Sequence, residues 1–270
     1  MIRTEQYTHG HHESVLRSHT WRTVANSAAY LANELRPGMR LLDVGCGPGT
    51  ISIDFAERIA PGEVVGVDAS AEVVAQAAAA AATRGVANAR FAVGDAYALE
   101  FPDDTFDIVH AHQTLQHVHD PVAVLQEMAR VAKPGGLIAA RDADYGGMIW
   151  FPQLPGLTTW IDTYQSVHRS NNSQPDAGRR MRAWAMEAGF TDITSTGSTW
   201  CFADDADRAW WGSMWADRVR QSSFGTQAVE RGFATEAELD DISAAWREWI
   251  DSPGAWFAVP NGEVLCRKPG

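Results

Sequence analysis

Hydrophobic patterns typical of strands and of helices alternate along the first half of this 270-residue chain. Short apolar runs predict strands over 40–44, 63–67, 89–93, 106–111 and 136–140. Apolar residues at helical spacing predict helices over 50–60, 71–84 and 121–132. This alternation is typical of a mostly parallel sheet with helices on both faces, in which ligands bind beyond the carboxyl ends of the strands.

The pattern is less regular after residue 145. A mixture of helix and loop over 150–172 predicts an inserted cap, after which a helix over 177–188 and a strand over 190–199 resume the alternation. An amphipathic helix over 235–250 and a strand over 256–266 follow. Ten of the eleven tryptophans lie after residue 149, which favours a cap whose rings form a core, line a pocket for an apolar or aromatic molecule, or make a dimer interface.

The charge balance restricts the classes of partner. The formal net charge is −12 and the isoelectric point is near 5.1, whereas binding to nucleic acid or to an anionic membrane requires clustered Lys and Arg. No apolar run is long enough to span a membrane, and none near the N-terminus has the pattern of a secretion signal. Three scattered cysteines fit a reducing compartment. We therefore expect a cytoplasmic protein, a monomer or homodimer, that acts on a small molecule.

The segment 41–50, with the sequence LLDVGCGPGT, places Asp43 and three alternating glycines between an apolar strand and a helix. Glycines at this position let the backbone turn tightly and let a ligand approach it closely. The G-x-G-x-G spacing, followed by Thr50, differs from the G-x-G-x-x-G or G-x-G-x-x-A fingerprint of dinucleotide sites. The loop predicts a cofactor other than a dinucleotide, although a glycine-rich turn that binds nothing would have the same sequence.

An acidic residue follows the second predicted strand. Asp68 ends the run VVGVD roughly 20 residues after the glycine loop, where a carboxylate can accept hydrogen bonds from both ribose hydroxyls. The segment Asp68 to Ser70 can also cap the helix predicted from residue 71, and the two roles are compatible.

The ordered segments DVGCGPGT, VVGVDAS, GDA with FPDDTFD, and KPGG resemble the motifs of class I methyltransferases that use S-adenosylmethionine. The resemblance covers about residues 41–142 and is closest to the ubiquinone/menaquinone and small-molecule natural-product group. It implies a Rossmann-like, doubly wound α/β fold with a seven-stranded sheet in the order 3-2-1-4-5-7-6. The last strand would be antiparallel, and a helical, Trp-rich cap would cover the acceptor pocket.

The resemblance also implies a set of cofactor-binding residues. Asp95, at the end of the third strand, would bind the adenine amino group, which suits a carboxylate because it can only accept hydrogen bonds. The backbone of Ala96 would bind a ring nitrogen, and His112 would border the methionine moiety. The implied set is Tyr7, Arg22, Asp43, Gly45, Cys46, Gly47, Asp68, Ala69, Asp95, Ala96 and His112.

Residues 1–38 are similar to the N-terminal segments that cover the cofactor in the glycine N-methyltransferase group. By that resemblance Arg22 binds the cofactor carboxylate and Tyr7 covers the sulfonium; the alternative for Arg22 is a surface position on the helix predicted over 20–35. We therefore interpret 1–38 as a lid and helix, and 39–144 as the S-adenosylmethionine-binding core. The predicted cap comprises 145–175 and 200–252, and 176–199 and 253–270 complete the core.

His117 is the predicted catalytic base for methyl transfer to an O, N or C nucleophile of a small, apolar or aromatic molecule. An imidazole is suited to this task because its ordinary pKa lies near neutrality. The alternative is a histidine that only shapes the turn, and His112, Asp144 and Tyr145 are other candidates for the base.

Three alternatives remain open from the residues alone. Four histidines near the N-terminus, and another four at His110, His112, His117 and His119, could suggest a metal site, but neither set has the spacing of a zinc site and we predict no metal. An NAD-dependent oxidoreductase would share the sheet and the role of Asp68. A cofactor-binding protein that transfers no methyl group would share every motif.

Overall fold

The computed structural model describes residues 21–270, which form one sheet of eight strands with helices on both faces. The strands are β1 (Arg40–Val44), β2 (Glu63–Asp68), β3 (Ala89–Val93), β4 (Phe106–His112), β5 (Ala132–Ala143), β6 (Ile149–Phe151), β7 (Asp192–Phe202) and β8 (Trp256–Arg267). The helices are α1 (Val24–Ser27), α2 (Thr50–Ile59), α3 (Ala71–Thr83), α4 (Pro121–Val131), α5 (Pro155–Ser170), α6 (Ala177–Glu187), α7 (Asp205–Gln221), α8 (Ser223–Glu230) and α9 (Glu236–Asp251).

The predicted sheet topology is confirmed, with one additional strand. β1 to β5 pair in parallel in the order β3-β2-β1-β4-β5, and β8 then pairs antiparallel with β5 and β7. The predicted total of seven strands is wrong because the chain leaves β5 through a turn at Tyr145–Gly147 and then pairs β6 with β8. β6 uses the same edge of β8 as β5, since β7 occupies the other edge along the whole strand.

The predicted continuous helix over 20–35 is wrong for the residues that the structure describes. Only Val24–Ser27 is α-helical, and a 3₁₀ helix over Ala29–Glu34 follows a break at Ala28, whose φ is −140°. The side chain of Asn26 accepts a hydrogen bond from the backbone N–H of Thr23 and donates one to the carbonyl of Trp21. Because the Thr23 side chain in turn accepts from the Asn26 N–H, these contacts form a capping box that begins α1 at Val24.

The parallel half of the sheet is fixed by local signals that the sequence contains. Ser70 caps α3, and Asp120 caps α4, where Pro121 supplies the first helical residue. Apolar side chains of β1, β4 and β5 pack against α2 and the N-terminal segment on one face and against α4 and α6 on the other. The carboxyl ends of β1 to β5 therefore lie at one edge, as their parallel pairing requires.

The helices α5, α7, α8 and α9 form an aromatic layer, which we call the cap, beside β6, β7 and β8. Its centre is Trp160, which is fully buried and makes edge-to-face contacts with Trp215 and Trp246 at ring-centroid distances of 4.6 and 4.9 Å. Such contacts stabilise aromatic pairs beyond the area that they bury. Within residues 21–270, no helix combines the length and the apolar character needed to cross a membrane.

Candidate functional site

The glycine loop after β1 is shaped by backbone hydrogen bonds to the neighbouring strand. The N–H groups of Gly45 and Cys46 both donate to the carbonyl of Val67, at 2.8 and 3.0 Å. Gly45, Gly47 and Gly49 have φ values of 71°, 55° and 79°. A Cβ on Gly45 would lie 2.3 Å from the Thr114 hydroxyl, so this position excludes larger residues for two independent reasons.

Asp43 lies beneath this loop and is almost completely buried. Its carboxylate accepts a hydrogen bond from the Ser52 hydroxyl at 2.5 Å, and its other oxygen lies 2.8 Å from Nδ1 of His110. These contacts connect β1 to the first turn of α2 and to β4. The structure thus gives Asp43 a positioning role, and its predicted direct contact with the cofactor stays a prediction.

Asp68 stands at the carboxyl end of β2 and remains partly exposed. One carboxylate oxygen accepts from the Gly47 N–H at 3.0 Å, and the other accepts from the Ser70 N–H at 3.0 Å. Asp68 therefore connects the glycine loop to the start of α3, and Ser70, rather than Asp68, caps that helix. The adjacent Ala69 is exposed. Each carboxylate oxygen has two lone pairs, so Asp68 retains acceptor capacity for a ligand.

Asp95 and Ala96 follow β3 and are both partly exposed. The Asp95 carboxylate accepts a hydrogen bond from the backbone N–H of Tyr97 at 2.9 Å, which orients it. The hydroxyl of Tyr97 lies 2.7 Å from Nδ1 of His119, beyond the end of β4. The ends of β2 and β3 thus bring two carboxylates to the same edge as the glycine loop, as predicted.

The four histidines around β4 separate into different environments. The rings of His110 and His112 are parallel with centroids 6.4 Å apart, and His112 also packs against Trp200. His117 packs against His168 of α5, whereas His119 contacts Tyr97. Over residues 21–270 the structure contains no group of three His, Cys, Asp or Glu side chains arranged to bind a metal ion.

His117 ends a 3₁₀ turn at Leu115–His117 that Asp142 holds in place. The fully buried Asp142 carboxylate accepts hydrogen bonds from the N–H groups of Leu115 and Gln116, each at 3.2 Å. Burial raises the pKa of Asp142 to about 7. Asp142, which the sequence did not single out as a site residue, is therefore the residue that positions the predicted base.

The electrostatic surroundings of His117 differ from the expectation. Burial, with a smaller contribution from the positive charge of Arg22, lowers the pKa of His117 to about 3. The imidazole is therefore neutral across the physiological pH range, but it is a weaker base than an exposed histidine. The ordinary pKa of an imidazole, on which the choice of His117 as the base depended, therefore does not apply at this buried position.

The structure places the other predicted site residues in different surroundings. The guanidinium carbon of Arg22 lies 5.7 Å from the ring centroid of Trp200, and its positive charge lowers the pKa of His117. Arg22 therefore lies beside His117 and Trp200 rather than on an isolated surface helix. Asp144 forms a paired ion contact with Arg179, and Tyr145 stacks on Tyr164. Tyr7 and the N-terminal histidines lie outside the described residues.

A buried ion pair on the same sheet face as His112, between Arg141 and Glu263, was not predicted from the sequence. Arg141 on β5 is paired in register with His112 on β4 and with Glu263 on β8. Its Nε contacts Glu263 at 3.2 Å and Ser198 at 3.1 Å. Glu263 lies in the last strand without any motif around it, so only the pairing of β5 with β8 could have revealed this ion pair.

An adenosyl ligand fits the edge formed by these loops. The turn at Gly45 has no Cβ, and the partly exposed carboxylates of Asp68 and Asp95 follow it on the next two strands. A glycine-rich turn with this spacing, at the carboxyl edge of a sheet in this order, defines the class I S-adenosylmethionine-dependent methyltransferases.

Comparisons with known proteins agree with this class. The chain belongs to the family described as "Methyltransferase domain", which it matches over residues 35–199. It is 33% identical to an uncharacterized methyltransferase of Schizosaccharomyces pombe, over 97% of this chain and 96% of that protein. It is 37% identical to a demethylmenaquinone methyltransferase of Geobacillus kaustophilus, over 44% of this chain and 52% of that protein.

Among solved structures, the YcgJ protein of Bacillus subtilis has a similar fold. The TM-score is 0.59 at 22% identity, and the match covers 90% of this chain and 97% of that one. The predictions of an enzyme, of its S-adenosylmethionine-dependent class and of its fold are confirmed by these findings together. The residue assignments are a separate matter and stay predictions.

Proposed function

We propose that the protein transfers the methyl group of S-adenosylmethionine to an oxygen, nitrogen or carbon atom of a small, apolar or aromatic molecule. Family membership gives the class of reaction, and the class of acceptor molecule is what we propose here. The main support for the site is the convergence of the Gly45 turn, Asp68, Asp95 and His112 at the ends of β1, β2, β3 and β4, which are neighbours in the sheet.

The cofactor roles follow from the chemistry of each group. Asp68 would accept hydrogen bonds from the ribose hydroxyls while its bond to Gly47 keeps the loop in place. Asp95 would accept from the adenine amino group, and the backbone of Ala96 would contact a ring nitrogen. Arg22 would bind the carboxylate, for which a planar guanidinium has matching donors.

The bound cofactor supplies an electrophilic methyl group, so the task of this chain is to orient, to exclude water and to accept one proton. His117 is the proposed acceptor of that proton. With a pKa of about 3, its imidazole is neutral at physiological pH and is a weak base, so it favours nucleophiles that lose their proton readily. Phenolic and enolic hydroxyls are nucleophiles of this kind.

The proposed apolar character of the acceptor rests on the rings that face the cluster. Trp200 contacts both His112 and Arg22, and the cap continues behind it through Trp21 and Trp210. Rings in this position exclude water and stack on flat substrates. The demethylmenaquinone methyltransferase is named for a small-molecule acceptor, but its similarity covers less than half of this chain and does not identify the acceptor here.

Tritiated methyl transfer from S-adenosylmethionine to extracted small molecules tests this proposal. We expect the wild-type chain to label an apolar, acidic hydroxyl compound, and His117→Ala to reduce labelling by about 10²- to 10⁴-fold, the range for loss of a general base. S-Adenosylhomocysteine affinity should stay unchanged. His119→Ala is the matched control, because this neighbouring histidine is exposed and contacts Tyr97 instead.

Two results would contradict the proposal. Unchanged turnover in His117→Ala would remove this residue from the chemistry. Binding of the cofactor without labelling of any compound in a broad panel would favour a protein of this fold that transfers no methyl group. Thermal shifts measured separately with NAD and S-adenosylmethionine distinguish the oxidoreductase alternative, because a ligand that binds only the folded state raises the melting temperature.

We also propose that the protein works in the cytoplasm, as a monomer or homodimer and without nucleic acid. The three cysteines, Cys46, Cys201 and Cys266, are all free thiols, which supports a reducing compartment. Fractionation of the native host with an antibody to the protein tests this location.

A further inference from the structure

Arg141 is a charged side chain in an unusual position. It is only 1% exposed, and it lies near the carboxyl end of β5 on the sheet face that also carries His112 and Glu263. Residues paired in register point to the same face, so Arg141 is a direct neighbour of the predicted cofactor residue His112. The ring of Trp200 lies 4.5 Å from its guanidinium carbon and covers it.

Within residues 21–270, only Nε of this guanidinium has hydrogen-bond acceptors. Nε donates to Glu263 and to Ser198, whereas Nη1 and Nη2 are buried and have no hydrogen-bond partner among residues 21–270. Glu263 does not offset this deficit, because its oxygens also accept from Ser198 and from Thr196. Buried donors without acceptors are strongly unfavourable, so an acceptor from outside residues 21–270 is expected at Nη1 and Nη2.

A second unpartnered donor lies close to the first. Tyr30, in the 3₁₀ helix over Ala29–Glu34, packs against the apolar cluster that includes Ala139, two residues before Arg141 on the same face of β5. Its hydroxyl is buried and has no partner within the described part of the chain. Burial raises the pKa of Tyr30 well above its usual value, against an opposing effect from the positive charge of Arg141. Tyr30 is therefore a neutral donor within electrostatic reach of the Arg141 fork.

We propose that Arg141 and Tyr30 bind a carboxylate, or a planar oxyanion of the same shape, on a ligand of the methyl-transfer site. The two terminal nitrogens of an arginine match two oxygens of a carboxylate, and a phenol adds a third donor. Trp200 supplies the apolar wall that keeps this contact dry, which strengthens it. This inference rests on the proposed function and names the chemistry of one of its ligand groups.

Two ligands can supply such a group: the amino-acid end of the cofactor, or an acidic acceptor. Arg141 lies beside His112, and Arg22 contacts the same Trp200 ring. The carboxylate of the cofactor and that of an acceptor could therefore both reach this subsite. The sources are distinguishable because 5′-methylthioadenosine contains the adenosyl part of the cofactor and lacks its carboxylate, whereas benzoate provides a carboxylate on an aromatic ring.

Tyr30→Phe is the main test, because it removes only the unpartnered hydroxyl. Without ligand, we expect its melting temperature to equal or exceed that of the wild type. Tyr164→Phe is the matched contrast: its hydroxyl is hydrogen-bonded to His168 at 2.6 Å, so the same change should lower the melting temperature. Arg141→Lys serves as a second variant, since it keeps the charge opposite Glu263 and loses the fork.

Calorimetry and thermal shift then identify the ligand. If the cofactor carboxylate binds here, both variants weaken S-adenosylhomocysteine by about 10-fold or more, the range for a hydrogen bond to a charged group, and leave 5′-methylthioadenosine unchanged. If the acceptor supplies the carboxylate, S-adenosylhomocysteine binding is unchanged. The stabilisation by benzoate at saturating S-adenosylhomocysteine is then lost in both variants.

The proposal is overturned if both variants bind all three probes like the wild type, since ordered water would then satisfy these donors. It is also overturned if benzoate fails to stabilise the wild type while S-adenosylhomocysteine binding is unaffected by the substitutions. A wild type that binds neither adenosyl compound contradicts the proposed function instead, and stabilisation by benzoate alone, compared between the wild type and both variants, then tests the subsite.

Discussion

The loops at the carboxyl ends of β1 to β3 and the aromatic cap are stabilised in different ways. At the strand ends, single polar contacts define the geometry: Asp68 accepts from Gly47 and Ser70, and Gly45 fits only without a Cβ. In the cap, Trp160 is one of many rings that contact one another, and no single polar contact defines its place. The strand-end loops therefore require a particular backbone conformation, whereas the cap requires side chains that fill its interior.

This difference explains why the loops after β1 to β3 have recognisable sequence motifs and the cap does not. A positive φ or an accepted hydrogen bond restricts a position to one or two residue types. A core position accepts several apolar residues if their total volume is kept. We expect substitutions at the strand ends to change ligand binding, and substitutions in the cap to change stability.

The largest expected effect is on stability, from Trp160→Ala in the cap. The side chain is fully buried among Trp215, Trp246 and Tyr164, so its loss leaves a cavity that the neighbouring rings cannot fill. We expect a loss of about 3–5 kcal/mol in the free energy of unfolding. Phe151→Ala, at a side chain that is 57% exposed, is the control and should change it by less than about 0.5 kcal/mol.

Urea unfolding measures both changes, and the comparison also requires that Trp160→Ala bind S-adenosylhomocysteine normally where it is folded. A binding defect larger than its stability loss explains would mean that the cap and the strand ends act as one unit.

Asp68→Asn should have the opposite profile. The amide keeps the shape and one acceptor for the Gly47 N–H but loses the charge, so we expect S-adenosylhomocysteine to bind about 10- to 100-fold more weakly. The melting temperature without ligand should fall only slightly, because Asp68 is partly exposed and water can replace the acceptor that the Ser70 N–H loses. The control is Glu72→Gln, an exposed acidic residue of the following helix. Equal affinities of the two variants in calorimetry would contradict the ribose-binding role.

The smallest effect concerns pH and separates Asp142 from His117. In the unfolded chain the Asp142 carboxyl ionises near pH 4, whereas in the folded protein its pKa is about 7, so folding takes up a proton between these values. Its contribution to stability is complete below about pH 4 and is lost as the pH rises through 7. Relative to Asp142→Asn, the melting temperature of the wild type should fall between about pH 4 and 7 and change little above that.

Turnover should follow the opposite trend. The ionised Asp142 carboxylate is a stronger acceptor for the N–H groups of Leu115 and Gln116 than the neutral acid, so it holds the turn that carries His117 more firmly. We therefore expect activity to rise a few-fold as the pH passes 7. His117 cannot cause this inflection, because its pKa is about 3. An inflection that persists in Asp142→Asn would assign the titrating group elsewhere.

Much of the fold could be predicted because its signals are local. The alternation of strand and helix patterns led to the parallel strands, to the helices after residues 50, 71 and 121, and to the antiparallel last strand through the family resemblance. The break at Ala28 and the short β6 escaped prediction. The second depends on an edge of β8 that lies more than 100 residues away.

The candidate site likewise has some features with local sequence signals and others that depend on distant residues. The sequence by itself determined the glycine loop, the acids at the ends of β2 and β3, and the methyltransferase class, because short segments with strict backbone requirements carry them. Only the tertiary structure decided that Asp142 holds the His117 turn and that burial makes His117 a weak base. It also decided that Nη1 and Nη2 of Arg141 are buried without a partner among residues 21–270. Hydrogen bonding across strands and burial depend on which distant residues meet, and no local pattern records that.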